Sequence, residues 1–99
     1  MAEEDRDYQR LADVFKALGH PTRLKILAKT IGAEFCVQDL GEQLDRRQPN
    51  ISQHLTVLRE RGLVTAERKG KNVCYRSADG RITEIIELTA EVFNQPDSS

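Results

Sequence analysis

Uncharged hydrogen-bonding side chains are concentrated at the start of a segment that spans residues 48–63. They are amides and one hydroxyl: Gln48, Asn50, Ser52 and Gln53. A solvated helix face more often carries Glu and Lys, whereas amides and hydroxyls in the first turns of a helix suit base edges in a DNA major groove. Gln48 and Asn50 can make bidentate contacts to adenine, and Ser52 and Gln53 can contact bases or phosphates. These residues predict a DNA-recognition helix.

The same segment is typical of a helix that packs on a core. Pro49 suits a first helical turn, where its missing N–H costs nothing. Ile51, Leu55 and Leu58 recur at helical spacing, so one stripe of the helix is expected to be buried. Gly62 follows as a helix stop.

Three more helices are predicted before this segment, over residues 6–18, about 21–31 and about 37–44. Residues 32–35 form a connector or a minimal strand, and His20 is expected to cap the second helix before Pro21. The third and fourth helices are separated by a short turn, which is typical of a helix-turn-helix. The apolar stripe of the first helix holds Leu11, Val14, Phe15 and Leu18. The residues of the second and third helices that are expected to face inward are Leu24, Leu27, Ala28, Ile31, Val37, Leu40 and Leu44.

After Gly62 the apolar period changes. Two β-prone runs, residues 63–68 and 72–76, flank Lys69-Gly70-Lys71 and indicate a hairpin with a basic tip. A hairpin after a helix-turn-helix is a wing, and Lys69 and Lys71 at its tip are expected to contact phosphates. A final helix over about residues 80–94 precedes a tail that is expected to fray. Its apolar face is formed by Ile82, Ile85, Ile86, Thr89, Val92 and Phe93.

The predicted fold class is therefore mainly α with a small β-hairpin. It is a winged helix-turn-helix in the order four helices, two strands and one helix. The 99 residues form one domain, ordered over about residues 6–94. No run reaches the ~18–20 apolar residues of a membrane span, and the acidic N-terminus does not resemble a signal peptide. With two cysteines far apart and no secretion signal, we expect reduced thiols and a cytoplasmic protein.

Charge is distributed unevenly although the net charge is only −1. Residues 46–76 hold eight basic and two acidic residues, whereas the rest of the chain holds seven basic and fourteen acidic ones. This basic segment either binds a polyanion or is an ordinary solvated surface. Arg46 and Arg47 oppose the helix dipole at the start of the recognition segment, which bound phosphates would offset. The alternative for this pair is an exposed loop with Asp45 as its local partner.

Several segments together resemble the ArsR-type family of bacterial and archaeal repressors. They are Leu18–Leu27, Val37–Leu40, Gln48–Val64 and Gly70–Tyr75, in the family's order and spacing. The resemblance implies a homodimer that binds near-palindromic operator DNA and leaves it when an effector binds. It adds His54 to the base-reading residues, although this side chain is equally suited to packing within the protein. It places the dimer interface on the first and last helices, at Leu11, Val14, Phe15, Ile82, Ile85, Ile86, Val92 and Phe93.

Neither metal site of the family is retained. Soft-metal sensors of the family carry a Cys-x-Cys pair. Here Cys36 occupies the first position of that pair, but Gln38 occupies the second, and we expect Cys74 on the wing to lie too far away to serve as a ligand. Zinc sensors of the family use Asp-x-His and two later ligands. Here Asp79 is kept, but Arg81 occupies the His position, and the two later positions fall near Val92 and Gln95, so neither later ligand is present. We therefore predict no metal, no cofactor and an unknown effector.

Cys36 has two interpretations. It lies near a helix N-terminus, which favours thiolate and predicts a reactive thiol in a redox-responsive regulator. Alternatively it is a small buried hydrophobe. We expect Cys74 on the other face of the hairpin and partly exposed.

No catalytic arrangement at credible spacing supports an enzyme. Three functions stay open beside the effector-released repressor: an activator, an effector-independent repressor, and a winged-helix module that binds protein rather than DNA.

Overall fold

The computed structural model describes residues 2–93, with side chains described from residue 7 onward. Its elements are α1 (Ala2–Leu18), α2 (Pro21–Lys29), β1 (Phe35–Cys36), α3 (Val37–Leu44), α4 (Gln48–Glu60), β2 (Val64–Lys69), β3 (Asn72–Ser77) and α5 (Ile82–Phe93). The expected winged helix-turn-helix order is confirmed, and the expected hairpin is part of a three-stranded sheet. The expected fraying of residues 94–99 lies outside the described residues. None of the helices within residues 2–93 is long and apolar enough to cross a membrane.

Both ends of α2 have identifiable cap residues. His20 caps its start as expected, because its Nδ1 accepts a hydrogen bond from the Thr22 N–H at 3.1 Å. The helix ends two residues before the expected residue 31, at Lys29. The fully buried Thr30 is the C-cap, and its N–H and its hydroxyl both donate to the Ile26 carbonyl, at 3.0 and 2.9 Å.

The core lies where α2, α3 and α4 meet beneath the sheet. Its fully buried side chains include Ile26, Leu27, Leu40, Ile51, Leu55 and Leu58. Ala28, which we expected to face inward, is exposed, and Ile26 takes the buried position on α2 instead. Ile82 is only 8% exposed and belongs to the same core.

A glycine cap ends α4 and turns the chain into the wing. Gly62 has a φ of +74°, which is costly for residues with a Cβ. Its N–H donates to the Arg59 carbonyl at 3.0 Å, and the Leu63 N–H donates to the Leu58 carbonyl at 2.9 Å. This is a Schellman motif, and its usual apolar contact is provided by Leu58 and Leu63, both buried in the core.

The sheet has the order β1-β3-β2, with both pairings antiparallel. Gly70 begins the two-residue hairpin loop with a φ of +64°, as a type II′ turn requires. The base of the wing is attached to the helical body by backbone hydrogen bonds. The Ser77 N–H donates to Thr30 at 2.9 Å and the Ala78 N–H donates to Leu63 at 3.0 Å.

The turn between α3 and α4 depends on a close backbone approach. Asp45 adopts a left-handed conformation with a φ of 56°, which Asp tolerates better than most residues. The Arg46 N–H then donates to the Gly41 carbonyl at 2.8 Å. Gly41 is buried, and a Cβ added there would lie 2.8 Å from the Arg46 carbonyl oxygen. Glycine at residue 41 therefore permits the angle between the two helices.

Gly41→Ala is expected to lower the free energy of unfolding by about 1–3 kcal/mol, because the added methyl group meets backbone rather than a flexible side chain. The measurement is urea unfolding of the full chain followed by circular dichroism. Gly80→Ala is the matched control, since a Cβ at residue 80 would meet no atom within 4 Å. An alanine at residue 41 that is tolerated as well as one at residue 80 would contradict the close approach.

Candidate nucleic-acid interface

Helix α4 has one face fixed in the core and the opposite face in solvent. Ile51, Leu55 and Leu58 are fully buried and hold the helix in place. Gln48, Ser52 and Gln53 are all exposed, so the structure brings three of the five expected base-reading residues onto one solvent-facing surface. Thr56 is also exposed on this face, but its hydroxyl donates to the Ser52 carbonyl at 2.9 Å.

Asn50 and His54 lie on the side of α4 that faces α2. Both are half-buried, and the His54 ring packs on the His20 ring with centroids 4.3 Å apart. Burial lowers the pKa of His54, and the neighbouring basic side chains of His20, Arg23 and Arg46 lower it further. The lowered pKa favours the neutral imidazole, and the ring serves helix packing in this structure.

Three buried polar atoms on α2 and this side of α4 have no hydrogen-bond partner among the described residues. They are Arg23 Nε, Asn50 Oδ1 and His54 Nδ1. Buried polar groups are normally satisfied, so these atoms are available to a bound water or to another molecule. Sequence reasoning did not find Arg23, because its proximity to α4 follows from the packing of two helices.

The two arginines of the helix-turn-helix turn are open to solvent. Arg46 and Arg47 are exposed, and together with Gln48 they line a surface depression between α3 and the start of α4. Arg47 is the N-cap of α4 and makes no side-chain capping bond. Among the described side chains neither arginine has an ion-pair partner within 4 Å, although Glu42 and Asp45 line the same depression. The first turn of α4 therefore leaves its N–H groups and two cations open to an anion.

The two wing lysines lie in different environments. Lys71 is exposed in the hairpin loop, whereas Lys69 donates to the Glu34 carboxylate at 2.6 Å. Arg76 is 3.6 Å from the other oxygen of that carboxylate. The hydrogen bond from Lys69 holds the pKa of Glu34 below its usual value, and the same bond raises the pKa of Lys69. Lys69 was expected to be free for a phosphate, but it forms an ion pair with Glu34, a connector residue that is far away in sequence.

The two cysteines are neighbours, contrary to expectation. Cys36 on β1 pairs directly with Cys74 on β3, and their Sγ atoms are 2.8 Å apart. Cys74 is only 8% exposed rather than partly exposed. The pairing of β1 with β3 could not be inferred from spacing, because 37 residues separate the two strands' cysteines in the chain.

The environment of Cys36 also differs from the expected one. The hydrogen bond shared with Cys74, with burial and the proximity of a second thiol, raises the pKa of Cys36 to about 11. The helix N-terminus was expected to lower this pKa, but the partner thiol outweighs it. Among the described residues no three His, Cys, Asp or Glu side chains are grouped to hold a metal ion.

A second surface, the apolar face, is formed by α1 and α5. Its exposed side chains are Tyr8, Leu11, Phe15, Ile85, Leu88, Val92 and Phe93. Val14 and Ile86 are half-buried at its edge, whereas Ile82, expected at the interface, is in the core. A groove of about 390 Å³ runs between the two helices. Tyr8 and Leu88 were missed, although each continues the helical spacing of its neighbours.

Asp79, the one zinc-site position that the sequence keeps, is occupied within the chain. Its carboxylate accepts from the Arg81 N–H at 2.9 Å and from the Arg81 guanidinium at 2.7 Å. These bonds lower the pKa of Asp79 to about 2. The carboxylate therefore orders the start of α5, while Gln95 lies outside the described residues.

Comparison with known proteins gives consistent matches. Residues 20–66 match the family model described as "Bacterial regulatory protein, arsR family". The chain is 38% identical to a biofilm growth-associated repressor of Agrobacterium fabrum, over 90% of this chain and 76% of the relative. It is 40% identical to an uncharacterized HTH-type transcriptional regulator of Methanocaldococcus jannaschii, over 86% of this chain and 97% of the relative.

A solved structure agrees with these matches. It is the homodimeric winged helix-turn-helix DNA-binding domain of a possible ArsR-family regulator from Mycobacterium bovis. It superposes with a TM-score of 0.83 at 27% identity, over 94% of this chain and 86% of that one. Because similarity of this extent in sequence accompanies the same fold, we conclude that the chain belongs to the ArsR family of bacterial regulatory proteins.

Proposed function

We propose that this chain is a sequence-specific DNA-binding repressor that acts as a homodimer in the cytoplasm and has no enzymatic activity. The observation that supports this most directly is the exposed, uncharged and hydrogen-bonding face of α4, formed by Gln48, Ser52 and Gln53 beside Arg46 and Arg47. An interaction module for proteins would be expected to show an apolar or acidic surface at this place. The relatives' names as repressors support the same function.

In the proposed complex, α4 enters a major groove and the wing lies beside it. Gln48, Ser52 and Gln53 contact base edges, while Arg46, Arg47 and Lys71 contact phosphates. Asn50 contributes from the side of α4 once its side chain turns outward, since its Oδ1 is a buried acceptor without a partner among the described residues, whereas His54 packs on His20. Lys69 contacts a phosphate only after it leaves Glu34.

A second copy of the chain is the proposed occupant of the apolar face. Seven large apolar side chains exposed on two adjacent helices form a patch that a monomer does not usually leave uncovered. The Mycobacterium bovis relative, whose fold is the same, is homodimeric. A two-fold dimer would present two copies of α4 to a near-palindromic operator with half-sites about one helical turn or a small multiple apart. An effector that changes the dimer would release the DNA, and its identity stays unknown.

The experiment that tests this function is fluorescence anisotropy with the duplex upstream of the chain's own gene and with a scrambled duplex, across a salt series. Tight binding to the native duplex, with affinity that falls steeply as salt rises, is the expected result. Equally weak binding to both duplexes would contradict sequence-specific recognition of that DNA.

Gln53→Ala and Lys71→Ala separate base contacts from phosphate contacts. Gln53→Ala is expected to cost about 1–3 kcal/mol on the native duplex and little on the scrambled one. Lys71→Ala is expected to weaken both duplexes alike and to reduce the salt slope by about 1. Both residues are exposed, so the fold tolerates either change. If Gln53→Ala lowered affinity for the two duplexes equally, its role as a base contact would be wrong.

Leu88→Asp tests the apolar face. Leu88 is 61% exposed, so the subunit fold is expected to survive while a charge enters the interface. The chain is expected to sediment as a monomer and to lose more than about tenfold in affinity for the native duplex, because one half-site is lost. Glu87→Ala, an exposed change on the other side of α5, is the control. A Leu88→Asp chain that stayed dimeric would contradict this interface.

A further inference from the structure

The contact between Cys36 and Cys74 combines three features that favour a disulfide. The residues lie directly opposite each other in antiparallel strands, a placement whose Cα separation falls within the range of disulfides. Their Sγ atoms are already 2.8 Å apart, so a bond requires only a small movement. Both are free thiols. Nothing in the recognition surface or the apolar face uses them.

We propose that Cys36 and Cys74 are a modification site, at which a hydroperoxide converts the two thiols of one subunit into a disulfide that weakens DNA binding. The effect on DNA rests on the proposed function, whereas the formation of the disulfide does not.

The order of the two steps follows from exposure. Cys36 is half-buried and Cys74 is buried, so the oxidant reaches Cys36 first. The Cys36 thiolate attacks the terminal oxygen of the hydroperoxide, the O–O bond breaks, and the alkoxide leaves as an alcohol after taking a proton. The Cys74 sulfur then attacks the Cys36 sulfenic acid, the S–O bond breaks, and water leaves with the Cys74 proton. Two thiols and one hydroperoxide thus give a disulfide, an alcohol and water.

The two steps are expected to differ in rate. The raised pKa of Cys36 keeps its thiolate scarce at neutral pH, so the first step is slow and trace oxidant leaves the pair reduced. The second step is intramolecular between atoms already in contact, so it is fast compared with further oxidation of the sulfenic acid. These properties suit a site that responds to sustained oxidant and is protected from irreversible damage.

The structural consequence depends on β1, which has only two residues and leads directly into α3. Glu34 precedes this strand and holds Lys69 on β2. A strand of only two residues makes few backbone hydrogen bonds, so we expect it to open more readily than the hairpin, and opening would release Lys69 for a phosphate. A disulfide fixes β1 to β3 and so keeps Glu34 beside Lys69. Oxidation is therefore expected to preserve an internal ion pair at the expense of a DNA contact.

The first part of the test is chemical and needs no DNA. The reduced full chain is treated with tert-butyl hydroperoxide, unfolded, alkylated and analysed by mass spectrometry. We expect loss of both alkylatable thiols, loss of the mass of two hydrogen atoms, a peptide joining Cys36 to Cys74, and full reversal by dithiothreitol. The midpoint temperature of thermal unfolding is expected to be higher for the oxidised chain than for the reduced one, by on the order of 10 °C. The reason is that the disulfide closes a loop that contains α3 and α4. Two thiols that persist, a disulfide between subunits, or sulfinic acid on Cys36 alone would each overturn the site.

The second part measures DNA affinity of the reduced and oxidised chains by anisotropy. Oxidation is expected to weaken binding to the native duplex on the order of tenfold, reversibly. Cys36→Ser, a change at a half-buried position, is expected to remove this response. Glu34→Gln removes the negative charge that competes with phosphate for Lys69 and keeps both thiols. The oxidised and reduced forms of this variant are therefore expected to bind the native duplex with the same affinity.

The outcomes separate the two proposals. Equal affinity of the oxidised and reduced wild-type chains would overturn the effect on DNA. A reduced chain that binds the native and the scrambled duplex equally weakly would overturn the proposed function. The mass measurement would still decide whether the disulfide forms.

Discussion

The burial of one side of α4 is the constraint on which the rest of the structure depends. The same 13-residue helix places Ile51, Leu55 and Leu58 in the core and Gln48, Ser52 and Gln53 in solvent. Each neighbouring element follows from this double role. Helix α3 approaches closely because Gly41 has no side chain, and the wing leaves α4 through the Schellman motif at Gly62. The exposed polar face therefore has a fixed orientation because its opposite face is inaccessible to water.

Features set by local periodicity were predicted well from the sequence. The third and fourth helices and the hairpin follow from apolar spacing, from glycines with positive φ and from a proline in a first turn, all of which act over a few residues. The caps at His20 and Gly62 belong to the same class. Most of the fold and the exposed residues of the candidate recognition surface could be obtained in this way.

Contacts between distant segments could not be predicted. Cys36 meets Cys74, Glu34 meets Lys69, and His20 meets His54 only because the sheet and the helix packing bring them together. Each of these contacts changed the chemistry assigned to a side chain: a thiol with a raised rather than lowered pKa, a lysine that is paired, and a histidine that packs. Electrostatic environment depends on all neighbours in space, so a residue type and its sequence context leave it undetermined.

The position of β3 in the middle of the sheet has a consequence for synthesis of the chain. Because β1 pairs with β3 rather than with β2, the sheet is incomplete until the chain has been made as far as Ser77. While the helix-turn-helix is emerging from the ribosome, Cys36 has no neighbouring thiol, and Glu34 has no lysine at its side. The thiol pair thus exists only in a subunit that has finished folding. A nascent or partly unfolded chain would instead meet the cell's thiols and disulfides with one isolated cysteine at a time.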